Sequence, residues 1–96
     1  MPEYNEAEIY FQQLLIETKL NILKTLRNNC GKTDQDIFLN QLHELISKNA
    51  KLRNMAKECY EDAWFFVFGA LIQLMSEGVI GFDEAGKYYF LNSNVD

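Results

Sequence analysis

The sequence predicts an α+β fold, mostly helical, with three to four helices followed by a two-stranded β-hairpin. Two observations predict the elements. Apolar residues recur at steps of three and four through most of residues 5–77, the spacing of a helix face. Beyond Glu77-Gly78 the period changes to two, on either side of a short turn that contains glycine. A third observation sets the scale. Ninety-six residues, 48% apolar and 24% charged, make one globular domain with a single core.

The first helix starts at a capping box, Asn5 with Glu8 three residues on. It continues to Asn28 without a Gly or Pro, in residues that mostly favour helix. Phe11, Leu15, Ile22 and Leu26 form one stripe, and Ile9, Ile16, Leu20 and Leu23 lie beside it. Together they cover about half the circumference, more than the ~100° of a one-sided surface helix, and Tyr10 and Leu14 widen the face further. Either this helix touches several elements of its own domain, or part of its face meets another chain.

Asn28-Asn29-Cys30-Gly31 ends the helix, with Gly31 suited to a left-handed C-terminal cap. Thr33 is expected to cap the second helix, with Asp34 and Asp36 in its first turn, where the helix dipole favours acids. Phe38, Leu42, Leu45 and Ile46 form the buried face of that helix, which runs to about Ser47. His43 lies at the edge of this face and reads as a partly exposed polar residue. Helical spacing resumes at Ala50 and carries Leu52, Cys59, Ala63, Val67, Ala70 and Leu74. The segment is one long helix or two helices that meet near Tyr60–Asp62; a break or kink is favoured, and Asp62 suits the cap of a separate helix. The hairpin then comprises Val79–Asp83 and Tyr88–Leu91, with Gly86 at the left-handed position of a type I turn with a G1 bulge. Ile80, Phe82, Tyr88 and Phe90 share its core face. The tail, residues 92–96, is expected to fray.

Val67, Ala70, Leu71 and Leu74, then Glu77-Gly78-Val79-Ile80 and the run Phe82–Phe90, together resemble the last helix and wing of winged helix-turn-helix domains. The resemblance implies one winged-helix-like domain over residues 1–96, with first helices near 17–28 and 34–48. An N-terminal helical extension, about residues 5–16, is then additional. Members of that family mostly bind DNA through polar and basic residues on the outer side of the third helix. This chain departs from them. With Ala63, Val67, Ala70, Leu71 and Leu74 turned to the core, the outer side carries Phe65, Phe68 and Ile72, flanked by Trp64 and Met75. Such groups cannot read base edges or phosphates. The stripe Trp64, Phe65, Phe68, Ile72 and Met75 is therefore expected to be a protein interface, in a homodimer or with a protein partner, unless the N-terminal helix folds over it.

The net charge of −5 divides unevenly, −4 over residues 1–18, +5 over 19–57 and −6 over 58–96. Overall acidity argues against general affinity for nucleic acid. The basic segment with Lys48, Lys51, Arg53 and Lys57 is the candidate nucleic-acid contact if the chain is a DNA-binding regulator. A small acidic domain of this kind also fits an inhibitor that occupies another protein's nucleic-acid site. Catalysis is not expected. His43 is the sole histidine, Cys59 sits beside Glu58, and the spacing of Cys30, His43 and Cys59 matches no zinc motif. No cofactor, metal or small-molecule ligand is expected. The acidic start, the absence of a ~20-residue apolar run and two cysteines far apart in sequence point to a cytoplasmic protein with reduced thiols and no membrane association.

Overall fold

The computed structural model describes residues 6–91. In chain order the elements are α1 (Glu6–Asn28), β1 (Lys32–Asp34), α2 (Gln35–Lys48), α3 (Ala50–Glu58), α4 (Tyr60–Ser76), β2 (Ile80–Phe82) and β3 (Lys87–Phe90). The fold is α+β and mostly helical. The Asn5 capping box and the tail from Asn92 lie outside the described residues.

The hairpin gains a third strand that the sequence does not suggest. β1 pairs antiparallel with β3, and the sheet order is β1-β3-β2. Only Thr33 of β1 is buried, so three residues carry no period-two apolar signal. Ion pairs flank the pairing, Lys87 to Asp34 at 3.4 Å and Lys32 to Asp83 at 3.5 Å. Thr33 is consequently a strand residue rather than a helix cap. Asp34 takes the cap position of α2 without a side-chain hydrogen bond.

Both long helices end in a Schellman arrangement. After α1 the N–H of Cys30 donates to the Arg27 carbonyl and that of Gly31 to the Leu26 carbonyl. Cys30 itself takes the left-handed position, at φ 62°, and Gly31 follows at φ 78°. The expected left-handed Gly31 is present, then, but the cap residue is Cys30. A Cβ on Gly31 would stand 3.2 Å from the Phe90 ring, so close packing also favours glycine there. After α4 the N–H of Gly78 donates to Met75 and that of Val79 to Leu74. In the hairpin Gly86 has φ 80° and donates to the Asp83 carbonyl, the turn that the sequence predicts.

The segment 50–77 is two helices. The junction is Cys59, whose extended backbone (φ −156°, ψ 111°) ends α3 and begins α4. Asp62 sits in the first turn of α4 and is not its cap. The break also turns Cys59 out to the surface, against its expected inward place. α3 is capped by Asn49, whose Oδ1 accepts from the N–H groups of Lys51 and Leu52.

The core lies between the helices and one face of the sheet. α1 contributes Leu14, Thr18, Ile22 and Leu26; α2 contributes Phe38, Leu42 and Ile46. Ala63, Val67, Ala70, Leu71 and Leu74 of α4 close it, as expected. Leu45 is only half-buried. Ile80 and Tyr88 seal the sheet side, with Tyr88 5.0 Å from the Phe38 ring. Phe90 packs at the margin, whereas Phe82 is exposed beside Tyr88. Among the described residues no helix is long and apolar enough to cross a membrane.

Candidate functional site

The placement of α1 beside α4 determines which apolar residues remain uncovered. Phe11 and Phe66 meet with ring centroids 6.3 Å apart, near the start of both helices. Lys19 Nζ lies 3.1 Å from Glu77 Oε2, further along both. The two helices therefore run side by side in the same direction. With about 100° per residue, the core line of α1 through Leu14 and Ile22 puts Ile9, Ile16 and Leu20 on its far side. The core line of α4 through Val67 and Leu74 likewise puts Phe65, Gly69 and Ile72 on its far side. Both far sides belong to one surface of the molecule.

That surface is rich in apolar groups, with exposed Gln12 and Gln73 among them. Phe65 is 64% exposed and Ile72 49%; on α1, Ile16 is 59% exposed and Leu20 62%. Gly69 lies between Phe65 and Ile72, and a Cβ built on it meets nothing within 4 Å. Exposed acids border one end, Glu6 and Glu8 of α1 with Glu61 and Asp62 of α4. The other end carries exposed Lys24 and Arg27 on α1 and exposed Glu77 on α4.

The five residues expected at a protein interface divide into two groups. Phe65 and Ile72 are exposed. Trp64, Phe68 and Met75 are half-buried against the core, on the side toward α2. His43 of α2 stacks on the Trp64 ring at 3.9 Å, and its Nδ1 hydrogen-bonds the Tyr60 hydroxyl. Trp64 in turn stacks on Phe68 at 5.7 Å. The N-terminal helix does not cover the stripe. It meets Phe66, one residue round from Phe65, and leaves Phe65 and Ile72 open. Ile9, Ile16 and Leu20 extend the surface; their signal in the sequence is the excess width of the first helix's apolar face.

The basic segment is spread over the opposite side of α1, at the α2–α3 junction. Lys48 pairs with Glu44 at 3.7 Å, and Arg53 donates to the Ser47 carbonyl at 3.1 Å. Lys51 pairs with Glu17 at 3.6 Å and stands 5.6 Å from the centre of the Tyr10 ring. Lys57 is exposed. Between α1 and this junction runs a groove of about 560 Å³, lined by polar groups that include Glu17, Asn21, Lys24 and Lys51. Three of the four basic groups thus already have acidic or carbonyl partners, which reduces the positive charge offered to phosphate.

Among the described residues no three His, Cys, Asp or Glu side chains gather into a group able to hold a metal ion. Comparison of the chain with protein-family models, curated proteins and solved structures finds no match.

Proposed function

We propose that this chain is a non-enzymatic protein-interaction module of winged-helix type that self-associates through the outer faces of α1 and α4. One observation carries the reading: five large apolar side chains, Ile9, Ile16, Leu20, Phe65 and Ile72, stand exposed on one side of a small domain. Burial is worth about 25 cal/mol per Å² of apolar surface, so covering this face offers several kcal/mol to an association. Clusters of large exposed apolar groups commonly mark sites of association. The winged-helix resemblance is supported by the end of α4 at Glu77-Gly78 and the β2–β3 hairpin that follows. A cytosolic setting is supported by two exposed, unpaired thiols, Cys30 and Cys59.

The test is an NMR concentration series on the full chain. Amide shifts that change with concentration along residues 9–20 and 65–72, with the sheet unmoved, agree with the proposal. Concentration-independent shifts over both stretches contradict it.

A further inference from the structure

We propose that α3 and α4 are the halves of one interrupted helix, and that straightening at Cys59 lets two copies of this chain exchange α4 and the β2–β3 hairpin. In the product each core is completed by residues 60–91 of the other copy. This exchange is distinct from association through the outer faces of α1 and α4.

The apolar pattern runs through the break without a change of phase. At about 100° per residue, Leu52, Ala56, Cys59, Ala63, Ala70 and Leu74 would fall in a sector of about 60° on one straight helix. Leu52, Ala63, Ala70 and Leu74 are buried, and Ala56 packs against them. Of these six only Cys59, at the junction, is exposed. No stop signal marks the junction either, because residues 50–68 contain no Gly or Pro.

The break is one residue long and lightly held. The Cys59 backbone is extended (φ −156°, ψ 111°), yet its N–H still donates to the Met55 carbonyl at 3.1 Å, as in a continuous helix. Its side chain gives α4 no capping hydrogen bond. The N–H groups of Tyr60, Glu61 and Asp62 open α4 and have no acceptor within it. The carbonyls of Ala56, Lys57 and Glu58 end α3 and have no donor within it. A straight helix pairs these two sets with one another.

What straightening breaks, a second copy restores. A straight helix carries α4 away from α1 and α2, and β3 away from β1. In the exchanged dimer the other copy's α4 and β3 take those places, so the Phe11–Phe66 contact and the β1–β3 pairing re-form between chains. A short connection between packed elements favours exchange of this kind. Because the core must open first, the exchanged dimer forms and separates slowly and survives dilution.

The experiment holds full-length wild type, Cys59→Ala and Cys59→Ser near the unfolding midpoint at about 1 mM, then cools and dilutes them to about 10 μM for size-exclusion chromatography. Alanine favours the straight helix and should tighten the surviving dimer about fivefold, counting both hinges. Serine supplies the cap that α4 lacks and should weaken it about tenfold. Position of the exchanged segment is read by cross-linking. Lys19 and Glu77 side chains meet at 3.1 Å across α1 and α4. A bismaleimide between Lys19→Cys and Glu77→Cys, in a chain with Cys30→Ser and Cys59→Ala, should join two chains in the dimer and close within one chain in the monomer. The exchange is overturned if Cys59→Ala gives no dimer that survives dilution, or if alanine and serine do not act in opposite directions. Cross-links confined to single chains of the dimer overturn it too. Phe65→Glu separates the two modes of association: it should dissociate the face dimer and leave the exchanged dimer intact. Loss of the surviving dimer in that variant would assign it to the outer face and overturn the exchange alone.

Discussion

The rings of Phe11 and Phe66 meet 6.3 Å apart across the seam between α1 and α4. With the buried Leu14, this contact holds the first three turns of α1 against the rest of the domain. It also aligns the outer faces of the two helices on one side. Phe66 is half-buried, so Phe66→Ala should cost roughly half the 3–5 kcal/mol of a fully buried phenylalanine. Hydrogen exchange should show protection lost in the first half of α1 while Ile22–Leu26 keep theirs. Uniform loss along α1 would mean that the helix is held elsewhere.

Thr18 presents a second test. It is fully buried in the core line of α1, and its Oγ1 has no hydrogen-bond partner among the described residues. An unsatisfied buried hydroxyl costs about 1–3 kcal/mol. Thr18→Val keeps the shape and removes that cost, so the urea midpoint should rise by an amount equivalent to about 1 kcal/mol. A lowered midpoint would show that the hydroxyl is satisfied in solution.

Two glycines should respond in opposite directions to the same change. Gly69→Ala fills open space on a helix and should stabilise the monomer by ~0.5–1 kcal/mol. Gly81→Ala would put a Cβ 2.8 Å from Tyr89 Cζ and 2.9 Å from Leu91 Cδ2. Those are the outer ends of flexible side chains, which must swing aside at a cost of about 0.5–1.5 kcal/mol. Thermal unfolding at concentrations where the chain is monomeric measures both.

Much of this arrangement is legible in the sequence, and the exceptions have physical causes. The span of the first helix, the turn at Gly86 and the inward line of Ala63, Val67 and Leu74 follow from local periodicity and cap chemistry. β1 does not, because Lys32-Thr33-Asp34 becomes a strand only through the free edge of β3. The break is readable near Tyr60, but its place at Cys59 depends on how α3 packs against α2 and α4. Phe65 and Phe68 share the outer side of a helical wheel, with Trp64 at its flank, and all three look open. Only the fold separates them, by stacking His43 on Trp64 and bringing Phe11 to the neighbouring Phe66. Gly69 is visible in the sequence, but its open surroundings are not.

Acid should act first on the hairpin. Asp83 Oδ1 accepts the Lys87 N–H at 3.0 Å. That bond, with help from Lys32, holds its carboxyl below the ordinary range although burial opposes the shift. A depressed folded value means that the contribution is present above about pH 4, the unfolded value, and is lost as pH falls through the folded one. Amide protection at Lys87 should therefore decline below about pH 4, and Asp83→Asn should remove that pH dependence. An unchanged acid profile in the variant would place the titrating group elsewhere.

The claim that the α1–α4 face joins copies of this chain is tested most directly by sedimentation velocity on wild type and Phe65→Glu. Phe65 suits the test better than Phe68, which packs under Trp64; at 64% exposure it can accept a charge without unfolding the domain. The account predicts a concentration-dependent dimer for wild type and a folded monomer for the variant. A wild-type chain that stays monomeric up to about 1 mM, where association would be worth less than ~4 kcal/mol, would contradict it.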